Sequence, residues 1–179
     1  GLILGIVVAQ PRNWRNAARP NPRRLQLYVQ EGPRRGRAER ALGFVLQRGA
    51  EAPAADSVEI PGSLLVLTRG EPTDIVVRNR LKEPTTIHWH GIELESYSDG
   101  VPGWSGMGAR VYSIVQQRDS FVARLTLLRA GTFMYHTHFN DVEQLTSGMY
   151  GGIVVLEPGQ RFDPARDHLY VGGWDGEGY

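Results

Sequence analysis

Residues 131–156 read GTFMYHTHFNDVEQLTSGMYGGIVVL, two strand-like segments around one short helical stretch. Gly131–His138 opens on glycine and is rich in aromatic and β-branched residues, and Gly152–Leu156 is an apolar run of strand length. Between them, only Asn140–Ser147 has the composition of a short helix. Working outward, the rest of the chain repeats the strand signal. Leu25, Leu27 and Val29 alternate with Arg24, Gln26 and Tyr28, as on a half-buried strand. Further strands are expected at Leu42–Leu46, Ser57–Ile60, Leu64–Thr68, Asp74–Leu81, Thr85–His90, Arg110–Val115 and Phe121–Leu127. Arg34–Arg40 reads as a charged hairpin loop and Tyr97–Gly108 as a long glycine-rich loop of the kind that often carries function. About eight strands at such spacing predict an all-β fold, an antiparallel sandwich or barrel.

The chain has 179 residues, enough for one domain of ordinary size plus extra pieces. Its net charge of +1 points to no polyanionic partner. Nine arginines lie between Arg12 and Arg40, but they straddle a linker and a strand without a stacking platform, so a solvated face is expected rather than a nucleic-acid site. With no cysteine, the chain has no disulfide, no thiolate nucleophile and no thiolate metal ligand. The apolar start, GLILGIVVAQ, falls far short of the ~20 residues needed to span a bilayer, and no membrane association is expected.

That apolar start has an internal counterpart. Residues 148–158, GMYGGIVVLEP, match residues 1–11, GLILGIVVAQP, at both outer glycine positions, at Ile-Val-Val and at the final proline. The offset of 147 residues is about one β-sandwich domain. Residues 1–9 are therefore expected to be the last strand of a preceding, similar domain, with a signal-peptide remnant as the alternative. Residues 10–22, with prolines at 11, 20 and 22, form a linker, residues 23–158 the main domain, and residues 159–179 a linker and the start of a following domain, with a first strand at Asp167–Trp174.

Four of the five histidines fall into two pairs, His88-Trp89-His90 and His136-Thr137-His138. On a strand, residues i and i+2 share a face, with Cα atoms roughly 6.6 Å apart. Metal–imidazole bonds are only ~2 Å long, so such a pair can serve two neighbouring ions as easily as one. Two pairs on adjacent strands would suit a multinuclear cluster. A first coordination sphere made of imidazoles alone favours copper, then zinc. His168 stands apart in the tail and is not expected to be a ligand. Trp89 points to the opposite face, toward the core, and Gly91 permits a close turn behind the metal.

Taken together, Thr86-Ile87-His88-Trp89-His90-Gly91, Asp99-Gly100, Gly131 to His138, Gln144 and Gly148 to Val155 resemble the laccase-like multicopper oxidases, in order over residues 57–158. The resemblance implies a cupredoxin-like Greek-key β-sandwich. It implies that the domain supplies half of a trinuclear copper site where dioxygen is reduced to water with electrons from a small phenolic, amine or metal-ion donor. By position in the motif, His88 would hold the type 2 copper, and His90, His136 and His138 the type 3 pair. Asp99 lies where these oxidases carry an acidic residue that assists proton delivery, a role suited to a carboxylate because oxygen reduction consumes protons. The plainer reading of Asp99 is a turn cap before Gly100. Glu93 and Glu95 are lesser candidates. An extracytoplasmic location is implied by the resemblance alone.

Where the family carries a mononuclear copper bound by a cysteine, this chain has none, so no type 1 copper is expected here. Another cupredoxin domain or subunit is expected to complete the copper site. Two other readings stay open at this point. In a cupin, His88, His90 and Glu95 would bind one iron or manganese ion, although the second histidine pair is then unexplained. A cupredoxin that binds copper without catalysis is the other.

Overall fold

A computed structural model describes residues 21–33 and 40–172. The repeat at residues 1–11, most of the linker, the loop at 34–39 and the last residues of the tail lie outside the described residues. Among the described residues there are ten strands: β1 (Arg23–Gly32), β2 (Ala41–Leu46), β3 (Gly62–Thr68), β4 (Thr73–Asn79), β5 (His88–His90), β6 (Gly106–Met107), β7 (Arg110–Val111), β8 (Ser120–Leu125), β9 (Gly131–His136) and β10 (Tyr150–Leu156). A 3-10 turn covers Ser96–Asp99, and one helix, α1, covers Asp141–Thr146.

Two four-stranded sheets carry the fold, ordered β2-β1-β4-β8 and β3-β10-β9-β5, with β6 and β7 forming a separate small hairpin. The expected all-β sandwich is present. Burial alternates along β4 and β8, the pattern of strands with one face on a core. Leu27, Phe44, Leu65, Ile75, Leu125, Trp89, Tyr135 and Ile153 meet between the sheets in one apolar cluster.

The pairing is not wholly antiparallel, as the strand spacing had suggested. β1 runs parallel to β4, and β3 parallel to β10. The chain crosses between sheets after β2, β3, β4 and β8, so strands distant in sequence become neighbours. Alternation in sequence reports which face is buried, and it is the same for either strand direction.

Several expected strands change. Ser57–Ile60 joins no ladder; it lays Val58 over β1 and β2 instead, where a Cβ on Gly43 would stand 2.5 Å from the Glu59 carbonyl oxygen. Only His88–His90 of the expected Thr85–His90 strand pairs with β9, while Thr85 forms a single bridge with Val115. The expected Tyr97–Gly108 loop contains the 3-10 turn and half of the small hairpin. Of the strand expected at Asp167–Trp174, residues 167–172 are in no strand. This part of the tail crosses the outer face of the second sheet, with Leu169 seated on Gly152.

Candidate metal centre

β5 and β9 are adjacent and antiparallel, and His88 stands directly opposite His136. Because side chains alternate, Trp89 and Tyr135 point the other way and are fully buried in the core. Their ring centroids are 6.0 Å apart. Packing on one face of this strand pair thus fixes the direction of the histidines on the other. β9 ends at His136 rather than at His138. The Thr137 N–H leaves the sheet edge and donates to the Met149 carbonyl at 3.1 Å, and the His138 N–H donates to Thr86 Oγ1 at 2.6 Å.

All four histidine rings come together. His88 is central, with ring centroids 5.6 Å from His90, 5.3 Å from His136 and 5.6 Å from His138. His90 lies 5.5 Å from His136, and His136 lies 5.9 Å from His138. His88, His90 and His136 each offer a ligand atom within 4.8 Å of the others. His90 and His138 are exposed, so the cluster opens outward at the sheet edge.

Hydrogen bonds assign the free nitrogens. A carbonyl only accepts, so His88 Nδ1–H donates to the Asp99 carbonyl at 3.0 Å, and His136 Nδ1–H donates to the Thr137 carbonyl at 2.6 Å. Both rings are left with Nε2 available to a metal. His136 Nε2 faces His90 Nδ1 at 3.4 Å. Two nitrogens that far apart can share one ion through bonds of ~2 Å. The donor set and its spacing fit copper.

Asp99 ends the 3-10 turn, and besides its carbonyl it places Oδ1 3.3 Å from His88 Nδ1. Its Oδ2 accepts from Ser105 Oγ at 3.1 Å. Gly100 makes this approach possible. Its φ of 82° is left-handed, and a Cβ there would fall inside the Ile87 carbonyl oxygen. Burial opposes charge on both partners, but in each case the contact between them prevails. His88 is raised above the ordinary imidazole value and Asp99 is held below the usual carboxylate range. His136 is lowered, first by burial and then by the neighbouring histidines, against a backbone hydrogen bond that raises it.

The lesser candidates turn elsewhere. Glu93 pairs with Arg129 at 2.9 Å. Glu95 accepts from Ser98 Oγ at 3.3 Å and approaches Arg110 at 3.8 Å, which removes the third ligand that the cupin reading needs. His168 has Tyr170 as its ring neighbour and stands outside the cluster. Sequence reasoning gave Ser105 and the threonines beside both histidine pairs no role. For Thr86 and Thr137 the only sequence signal was position, a hydroxyl within two residues of a candidate ligand, and Ser105 had none.

Known proteins resemble this chain in sequence and in fold. The family model for multicopper oxidases matches residues 55–160, and the chain belongs to that family. Copper is the metal that this membership supports. A copper resistance protein A from Escherichia coli is 38% identical over 114 residues, covering 63% of this chain and 17% of that protein. A laccase-2 from Thanatephorus cucumeris is 30% identical over 144 residues, covering 72% of this chain and 22% of its own length. A crystal structure of a multicopper oxidase from Pseudomonas thermotolerans superposes with a TM-score of 0.62 at 30% identity, over 76% of this chain and 30% of that one. The chain therefore spans about a fifth of the curated relatives it matches. Among the described residues, no helix is long and apolar enough to cross a membrane.

Proposed function

We propose that this chain supplies one wall of a trinuclear copper site in a multicopper oxidase that reduces dioxygen to water with electrons from a small phenolic, amine or metal-ion donor. The observation that carries the reading is the outward-facing cluster of four histidine rings centred on His88. His88 would hold the type 2 ion, and His90, His136 and His138 the type 3 pair. Bound there, copper would accept electrons one at a time and deliver them to dioxygen. The opposite wall, and the type 1 copper that this cysteine-free chain cannot hold, would come from another cupredoxin domain or subunit. Residues 23–158 would be the cupredoxin body, in an extracytoplasmic protein.

Within the chain, Asp99 acts on His88. In the neutral ring it keeps the single proton on Nδ1, so that Nε2 is the free nitrogen a ligand must offer. Its carboxylate also serves as a proton-carrying group at the rim of the site. Trp89 and Tyr135 exclude water from behind the histidines.

The test is copper content, paramagnetic resonance and oxygen uptake on the intact protein. Bound copper, a type 2 signal and oxygen consumption with a phenol or amine are expected, and His88→Ala should lose type 2 copper preferentially. Full retention of that copper would overturn the ligand assignment. Copper bound without oxygen uptake would leave a binding module, and one iron or manganese per chain would revive the cupin.

A further inference from the structure

Behind the histidines lies a group of polar side chains shielded from solvent. Thr85, Thr86 and Thr137 are fully buried and Gln144 is 1% exposed. Gln144 Oε1 accepts from Thr85 Oγ1 at 2.9 Å and from Thr137 Oγ1 at 2.8 Å. Gln144 Nε2 donates to the Pro84 carbonyl at 3.0 Å. The amide orientation is set by its partners, since two hydroxyls face its oxygen and a carbonyl faces its nitrogen.

The placement of these groups matters more than their number. Thr137 stands between His136 and His138. Pro84 and Thr85 lead into His88, and the next hydroxyl, on Thr86, receives the His138 N–H. One amide on α1 thus bridges the backbone segments that carry the two histidine pairs. The helix itself is tied down through its neighbour Glu143, which accepts from Arg40 at 3.0 Å, and through the Gln144 carbonyl, which accepts from the Met149 N–H at 3.0 Å. The Met149 carbonyl in turn receives the Thr137 N–H. Apolar side chains of equal volume would hold the sheets together at least as well. What a closed hydrogen-bond network adds is direction and a fixed separation.

We propose that Gln144 is a positioning residue for the copper site: its amide sets the spacing between the two histidine pairs and thereby the affinity for copper. This rests on the reading of the cluster as copper ligands. The tolerance is small. His90 Nδ1 and His136 Nε2, one from each pair, are 3.4 Å apart. Two bonds of ~2 Å reach at most ~4 Å, so a slide of roughly half an ångström between the pairs takes the two nitrogens out of joint reach of one ion.

The experiment uses the full-length protein and Cu(II), with affinity measured by chelator competition and the type 2 resonance spectrum recorded alongside. Gln144→Met keeps the volume and removes every hydrogen bond. It should weaken copper binding about 10- to 100-fold, the usual cost of losing a partner that orients metal ligands, and shift the type 2 hyperfine splitting. Thr137→Val should act in the same direction, whereas Thr137→Ser, which keeps the hydroxyl, should restore binding. Thermal unfolding of the copper-free variants separates folding from positioning: a lowered midpoint with unchanged affinity and spectrum would overturn the proposal. If Gln144→Met does not fold, the Thr137 pair decides, and equal affinity in the Val and Ser variants would overturn it. A wild-type protein that binds no Cu(II) would overturn the copper reading itself, and this proposal with it.

Discussion

Replacing Gly100 with alanine tests how the loop after the first histidine pair is held against the site. Gly100 has a φ of 82°, and its Cα faces the Ile87 backbone so closely that a Cβ would overlap the carbonyl oxygen. A left-handed alanine costs about 1–2 kcal/mol. The overlap is with backbone rather than with a flexible side chain, so relieving it is an overpacking cost of about 1–3 kcal/mol. The loop moves away by carrying Asp99 off His88, which loses hydrogen bonding worth about 1 kcal/mol. The sum is about 3–6 kcal/mol. At roughly 2–4 °C per kcal/mol for a domain of this size, the thermal midpoint should fall on the order of 10 °C or more. Gly103 and Gly108 supply internal controls. Their φ values are 76° and 62°, but a Cβ at either meets nothing within 4 Å. Gly103→Ala and Gly108→Ala should therefore show only the conformational cost of about 1–2 kcal/mol. Thermal unfolding of the three copper-free variants is the assay. A Gly100→Ala midpoint no lower than that of Gly103→Ala would refute the close approach between the loop and Ile87.

On the proposed function, Asp99→Asn in the full-length protein should slow oxygen reduction while copper content stays normal, and unchanged turnover would remove the carboxylate from the mechanism. In the copper-free protein the same variant should alter the pH dependence of stability. With His88 raised, its favourable contribution is fully present below the ordinary imidazole pKa of about 6.5 and is lost as pH rises through the folded value. With Asp99 lowered, its contribution is present above the ordinary carboxylate pKa of about 3.9 and is lost as pH falls through the folded value. The stability difference between wild type and Asp99→Asn should therefore peak between those limits; a difference that stays flat across denaturant titrations from acid to neutral pH contradicts the pairing. Tyr135→Phe should cost about 1–3 kcal/mol by denaturant midpoint. Tyr135 Oη donates to the Ser63 carbonyl at 2.6 Å, beside the point where the β3–β10 register slips between Gly151 and Ile153. An unchanged midpoint would mean that the carbonyl finds another donor. Gly151→Ala places a methyl inside the Tyr135 ring, and it should destabilise by about 1–3 kcal/mol through overpacking. The same assay showing no loss would deny that contact.

Much of the site was legible in the residues. The i, i+2 spacing of each histidine pair requires a shared face once the segment is extended, and Trp89 was correctly sent to the core by the same period. The motif order carried the family. The strand signals that failed were those without a ladder partner. Ser57–Ile60 is as apolar and alternating as a strand, but it spends Val58 on packing over two glycines instead of pairing its backbone.

By itself, the sequence determined that the residues of each histidine pair share a face, which residues could ligate a metal, and that this chain contributes no thiolate. Those properties are local, set by side-chain chemistry and by a period of two. Only the tertiary structure decided that β1 and β4 lie parallel, that His88 stands opposite His136, that Asp99 reaches His88 under the cover of Gly100, and that Gln144 bridges both histidine pairs. Each of these joins residues with no periodic relation along the chain. Their distances follow from how two sheets close on a shared core, where packing fixes positions to fractions of an ångström.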